Sequence, residues 1–124
     1  MGLADRVRFL GEIPPDEVRA VMRFCDVFVF PSVYEAMPLA LVEAMAAGMP
    51  IVASDIPANR EVLSDTGILT PPDSYGLARA AKRLLEDPNL ANEMGRKAAQ
   101  RAKLFSLDNM VDHYADLLAS EMAA

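Results

Sequence analysis

The stretch "PSVYEAMPLALVEAMAAGMPIVAS", residues 31–54, sets Glu35 in a loop and Glu43 inside the apolar run that follows it. Two carboxylates separated this way serve as acceptors for hydroxyl groups. If the run after Glu35 is a helix, its first turn offers unpaired backbone N–H groups and the positive end of the helix dipole, a seat for phosphate or another anion. Two acidic side chains at that seat repel the anion itself, so they suit hydroxyl-bearing groups attached to either side of a phosphate.

The elements around this stretch decide whether it sits at such a mouth. Residues 7–10, "VRFL", are stopped by Gly11 and the Pro14-Pro15 pair, which predicts a first strand and a breaker. From Asp16, the apolar residues Val18, Val21, Met22 and Cys25 recur at helical spacing, with Pro15 tolerated in the first turn. Residues 27–30, "VFVF", form a continuous apolar run, which predicts a strand buried on both faces at the centre of a parallel sheet. A helix is expected over roughly 38–47, ended by Gly48, and a third strand at "IVAS", 51–54.

"PANREVL" allows one or two helical turns, and a fourth strand is expected at 68–70, ended by two prolines. Three helices follow: one capped by Asp73 or Ser74 and running to about Glu86, one with Asp87 as cap and Pro88 just inside, and one from Ser106 whose stripe is Leu107, Met110, Val111, Tyr114, Leu117 and Leu118. Strand and helix alternate and a run of helices closes the chain. That order predicts an α/β fold: a parallel sheet of about four strands with right-handed helical crossovers. In such sheets ligands bind beyond the C-terminal ends of the strands, where residues 31–37 fall.

Composition narrows the function. The 124 residues suit one domain, and with 52% apolar and 24% charged residues the chain is expected to fold rather than stay disordered. A net charge of −6 argues against nucleic-acid partners, and no apolar stretch approaches the roughly 20 residues of a membrane span. Cys25 has no cysteine partner, which fits a reducing compartment, the cytoplasm by default, and its place on an apolar helix side reads as a small core residue. His113 has no second ligand nearby and reads as a surface residue. Lys82, Arg83, Arg96, Lys97, Arg101 and Lys103 interleave with acidic residues and read as a solvated helix face.

The motif "PSVYE" followed by "LVEAMAAGMPIVAS", with its Glu-x7-Glu spacing from Glu35 to Glu43, resembles the signature of the retaining family 4 glycosyltransferases of GT-B fold. The likeness runs from "DRVRFLGEIP" through "GILTPPDSYGLARAAKRLLEDP" to "FSLDNMVDHYADLL". It implies a Rossmann-like sheet and a nucleotide-sugar donor. It also implies roles: Glu35 as the catalytic-site contact to donor-sugar hydroxyls near the reacting carbon, and Glu43 on the ribose hydroxyls. The backbone of Ala36, Met37 and Leu39 would approach the distal phosphate and sugar, and Gly11, Glu12 and Ile13 would line the nucleobase. No metal or other cofactor is expected. Base, sugar and acceptor are not specified.

Departures from the family pattern accompany the matches. Where many members read Glu-Gly-Phe-Gly-Leu, this chain has Glu35-Ala36-Met37-Pro38-Leu39, and Pro38 has no N–H to offer a phosphate. "PANRE" stands in place of Gly-Gly-x-x-Glu, with Glu61 keeping the acidic position. The opening Met1-Gly2-Leu3-Ala4-Asp5 resembles the middle of a family member, which implies an N-terminally truncated donor domain without the acceptor domain. The Arg and Lys pair that neutralises the diphosphate in the family has no counterpart here, and neither do two of its six strands. The usual neighbour of strand 7–10 would then be absent, so it is expected either to pair with 27–30 or to leave an edge that recruits a second copy as a homodimer. The rival expectation is a non-catalytic truncated α/β module that binds nucleotide weakly or serves as a partner surface.

Overall fold

The computed structural model describes residues 2–106, 115, 116 and 118–121. Helix α1 (Pro15–Phe24) leads to strand β1 (Phe28–Phe30), helix α2 (Leu39–Ala46), strand β2 (Ile51–Ser54), helix α3 (Pro57–Leu63) and strand β3 (Ile68–Thr70). Helices α4 (Ser74–Glu86) and α5 (Pro88–Ala102) follow, and short 3-10 turns span Ala4–Arg6 and Lys103–Phe105. The three strands pair in parallel in the order β1-β2-β3, with Val29 opposite Val52 and Ala53 opposite Leu69.

Strand β2 is the centre of this sheet, and Ile51, Val52, Ala53 and Ser54 are all fully buried. Alternation along the strand divides the core. Ile51 and Ala53 join Leu41, Met45, Leu63 and Ala98 on one face, whereas Val52 joins Ala80, Leu84 and Ala91 on the other. Helix α5 serves both faces, since Ala91 packs into the second cluster and Ala98 and Ala102 into the first.

Two expectations for the strands are corrected. Residues 7–10 form no strand among the described residues: Phe9 is 96% exposed and Val7 and Leu10 are exposed as well. They do not pair with β1 either, because an apolar run becomes a strand only where a neighbour completes its ladder. Among the described residues the sheet therefore has three strands rather than four. β1 is also an edge of this sheet rather than its centre, with Phe28 and Phe30 half-buried and Val29 exposed. "VFVF" reads the same at a centre and at an edge; the absence of a described strand on its outer side decides which.

Local chemistry sets the helix ends. Gly48 adopts φ +74° and Met49 N–H reaches Ala44 O at 3.1 Å while Gly48 N–H reaches Met45 O at 2.9 Å, the paired bonds that close a helix on a left-handed glycine. The Asp73 carboxylate accepts from Gly76 N–H at 2.6 Å and Asp87 from Leu90 N–H at 3.1 Å, so both expected caps are in place. Asp73→Ala is expected to cost about 1 kcal/mol of stability, read as a lower urea midpoint with an unchanged slope.

Two side chains lie elsewhere than expected. Cys25 is exposed at the end of α1 rather than in the core, because the helix stops at Phe24 and buries only Met22 of its expected stripe. Arg101 is not a solvated member of a basic face: its Nε donates to Val62 O at 2.7 Å and its Nη2 to Glu61 O at 2.8 Å, closing the C-terminal carbonyls of α3. Lys82 and Lys97 do sit on solvated faces, paired with Glu86 and Glu93 one turn away. His113 and the stripe from Leu107 to Leu117 lie outside the described residues, and Leu118 is exposed.

Candidate functional site at the C-terminal edge of the sheet

The parallel strands end together at Phe30, Ser54 and Thr70, and the segment after each begins a ligand-facing edge. Residues 31–38 leave β1 there. Ser54, fully buried, donates from Oγ to Ser32 O at 2.6 Å and lies 3.1 Å from Phe30 O, which pins the start of the loop to the end of β2. Ser32 Oγ in turn stands 3.0 Å from Glu35 Oε1 and 3.0 Å from Tyr34 O. A hydroxyl has one proton to give, and a carboxylate is the stronger acceptor, so the proton is assigned to Glu35.

Glu35 is half-buried, and Glu43 is exposed on the solvent side of α2, whose Leu41, Ala44 and Met45 face the core. Glu43 makes neither an ion pair nor a side-chain hydrogen bond among the described residues. Pro38 is the residue preceding α2, buried and without an N–H, and Leu39 N–H is turned back to Met37 O at 2.9 Å. The expected donor at Leu39 is thus engaged within the loop. Of the three expected donors, Ala36 and Met37 have no backbone hydrogen bond from their N–H among the described residues.

The loop of Gly11, Glu12 and Ile13 is not brought to this edge by any described contact. Gly11, at φ +66°, and Ile13 line an apolar cavity of about 310 Å³ together with Val18, Met22, Phe28 and Met49, and that cavity includes neither Glu35 nor Glu43. Glu12 is exposed. Ile13 is half-buried there, whereas Gly11 is exposed.

The structure adds residues that the motif alone did not mark. Asp55, just after β2, holds Arg60 at 2.6 Å, and its N–H donates to Thr70 O at 2.7 Å, so a guanidinium stands at the same edge as the carboxylates. Asn59, fully buried, donates from Nδ2 to Ser54 O at 3.0 Å. Ser32 and Ser54 had a visible signal, since they are the serines of the "PS" and "IVAS" flanks. Asn59 and Arg60 had none beyond their place in "PANRE".

A parallel α/β sheet, covered on both faces and carrying an acidic loop at the C-terminal end of one strand, defines a Rossmann-like arrangement. A family model described as glycosyl transferases group 1 matches residues 1–101, and the chain belongs to that family. D-inositol 3-phosphate glycosyltransferase of Streptomyces avermitilis is 33% identical over 127 aligned positions, covering 100% of this chain and 27% of its own. Among solved structures, a sucrose-phosphate synthase from Thermosynechococcus elongatus superposes with a TM-score of 0.87 at 34% identity, over 98% of this chain and 31% of its own. Anabaena HepE, solved in complex with UDP and glucose, superposes with a TM-score of 0.86 at 29% identity, over 96% of this chain and 33% of its own. The chain thus spans about a quarter to a third of the length of these relatives. Among the described residues no helix is long and apolar enough to cross a membrane.

Proposed function

We propose that the chain is the donor-binding part of a retaining glycosyltransferase, which moves a hexose from a nucleoside diphosphate sugar to a hydroxyl acceptor in glycan or glycolipid synthesis. The observation that carries this reading is Glu35, held at the end of β1 with Oε1 engaged by Ser32 and set one Glu-x7-Glu step before the exposed Glu43, which is unpaired among the described residues. A carboxylate with one oxygen occupied has the other for a ligand hydroxyl. An exposed carboxylate that serves no fold contact suits the ribose. HepE, solved with UDP and glucose, supports a sugar nucleotide as the ligand class.

In this reading Glu35 orients the sugar beside its reacting carbon and Glu43 holds the ribose hydroxyls. The N–H groups of Ala36 and Met37 meet the distal phosphate, while Leu39 contributes its side of the loop. Gly11, Glu12 and Ile13 form the wall for the base once their loop approaches the edge. The acceptor hydroxyl attacks the anomeric carbon on the face the diphosphate leaves, and the departing phosphate takes the hydroxyl's proton. No metal enters this scheme.

The competing reading, a non-catalytic α/β module, draws on the cavity that Gly11 and Ile13 line, which includes neither Glu35 nor Glu43. Hydrogen bonds to charged groups contribute about 1.5–3 kcal/mol each, so a site without the family's two cations loses roughly two to four decades of donor affinity and its means of stabilising the leaving group. The 124 residues alone are therefore expected to bind UDP, GDP or ADP in the millimolar range and to transfer no sugar in a radiolabelled assay. Detectable transfer would overturn the need for those cations, and no binding of any of the three at tens of millimolar would favour the non-catalytic module.

A further inference from the structure

Glu35 lies in a loop without helix or strand, yet its carboxylate is reached by an unbroken series of donors from the interior. Asn59 Nδ2 donates to Ser54 O at 3.0 Å, Ser54 Oγ donates to Ser32 O at 2.6 Å, and Ser32 Oγ donates to Glu35 Oε1 at 3.0 Å. Asn59 and Ser54 are fully buried, and Ser54 belongs to the central strand, so the far end of the series cannot move without the core. The bond between Ser54 and Ser32 joins residues 22 positions apart and fastens the exit of β1 to the end of β2.

We propose that Ser54 and Ser32 form a brace that selects the Glu35 rotamer before any ligand arrives, which makes Ser32 a positioning residue and Ser54 its anchor. The proposal rests on the reading of Glu35 as the sugar-side contact. A glutamate side chain has three rotatable bonds, and freezing them when a ligand binds costs affinity. A hydroxyl that holds one carboxylate oxygen in the ligand-free protein moves that cost to folding and leaves Oε2 aimed for a hydroxyl. The brace serves the sugar and not the nucleotide, because Ser32 is hydrogen-bonded to Glu35 and, among the described residues, not to Glu43.

Ser32→Ala and Ser32→Thr, made in the 124-residue chain, separate these roles. The Glu35 side-chain rotamer is read from three-bond couplings without ligand, and dissociation constants are measured for UDP against UDP-glucose and for GDP against GDP-mannose. The expected result is one dominant rotamer in the parent chain and averaged couplings in Ser32→Ala. With it comes a loss of about three- to tenfold for the sugar nucleotide and none for the plain diphosphate. Ser32→Thr, which keeps the hydroxyl, restores both. A single Glu35 rotamer persisting in Ser32→Ala overturns the brace, and averaged couplings with equal or no losses for the two ligands overturn its positioning role. Should no nucleotide bind the parent chain, the donor-site reading fails while the couplings still decide the brace.

Discussion

Gly95→Ala is expected to destabilise the chain by about 3 kcal/mol, although the same change in an open helix stabilises by about 1 kcal/mol. A Cβ at position 95 would overlap the Gly48 carbonyl oxygen and lie 3.2 Å from the carbon it belongs to. That carbonyl cannot swing aside. Gly48 sits at φ +74° with its own N–H bonded to Met45 O, and Met49 N–H is bonded to Ala44 O, so the turn that ends α2 is held on both sides of the clash. Helix α5 cannot back away cheaply either, because Ala98 and Ala102 on the same side are buried against the first core cluster. Urea unfolding checks the prediction. A midpoint equal to or above that of the parent chain would mean that α2 and α5 are further apart than described.

Glu43→Ala is expected to weaken nucleoside diphosphate binding by about ten- to a hundredfold while leaving stability within about 0.5 kcal/mol. The two halves of that expectation come from one observation. Glu43 is exposed in the middle of α2 and has no ion pair or side-chain hydrogen bond among the described residues, so the fold does not depend on its carboxylate. Alanine is also at least as good a helix former, which removes any propensity penalty. A charged acceptor of ribose hydroxyls, by contrast, contributes about 1.5–3 kcal/mol to binding. Amide NMR titration to tens of millimolar nucleotide paired with urea unfolding measures both. Loss of stability together with affinity would make Glu43 a structural residue, and unchanged affinity would remove it from the donor site.

The parts of the fold that local chemistry determines were legible in the residues. Gly48 after an apolar run, Asp73 before Ser74 and Asp87 before Pro88 each place a helix end within a residue or two, because a left-handed glycine or a capping carboxylate acts on its own neighbours. The central position of β2 was not legible, since "VFVF" is the bulkier run and reads as the centre, although β1 is an edge. Which strand is central depends on pairing partners far along the chain. Residues 7–10 carry a sound strand pattern and form none, for the same reason.

Legibility of the candidate site divides in the same way. Glu35 and Glu43 stand out because their flanks fix a loop and then a helix, a local arrangement. The hydrogen bonds that set Glu35 run through Ser54 and Asn59, 19 and 24 positions later, and arise only when β1 and β2 pair. Arg101 read as one more cation on a helix face, yet it spends its guanidinium on two α3 carbonyls about 40 residues away. The small residues Ala91, Gly95, Ala98 and Ala102 follow a helical spacing, but the meaning of Gly95 lies in the Gly48 carbonyl it packs against, far from it in the chain.

Amide NMR titration of the 124-residue chain with UDP, GDP and ADP, repeated on Glu43→Ala, tests the donor-site reading most directly. Saturable shifts clustered at residues 11–13 and 32–43 for at least one nucleotide, weakened in Glu43→Ala, are the predicted result, and the nucleotide that saturates first names the base. A well-dispersed spectrum that none of the three perturbs, or shifts confined to residues remote from the C-terminal edge of the sheet, would contradict it.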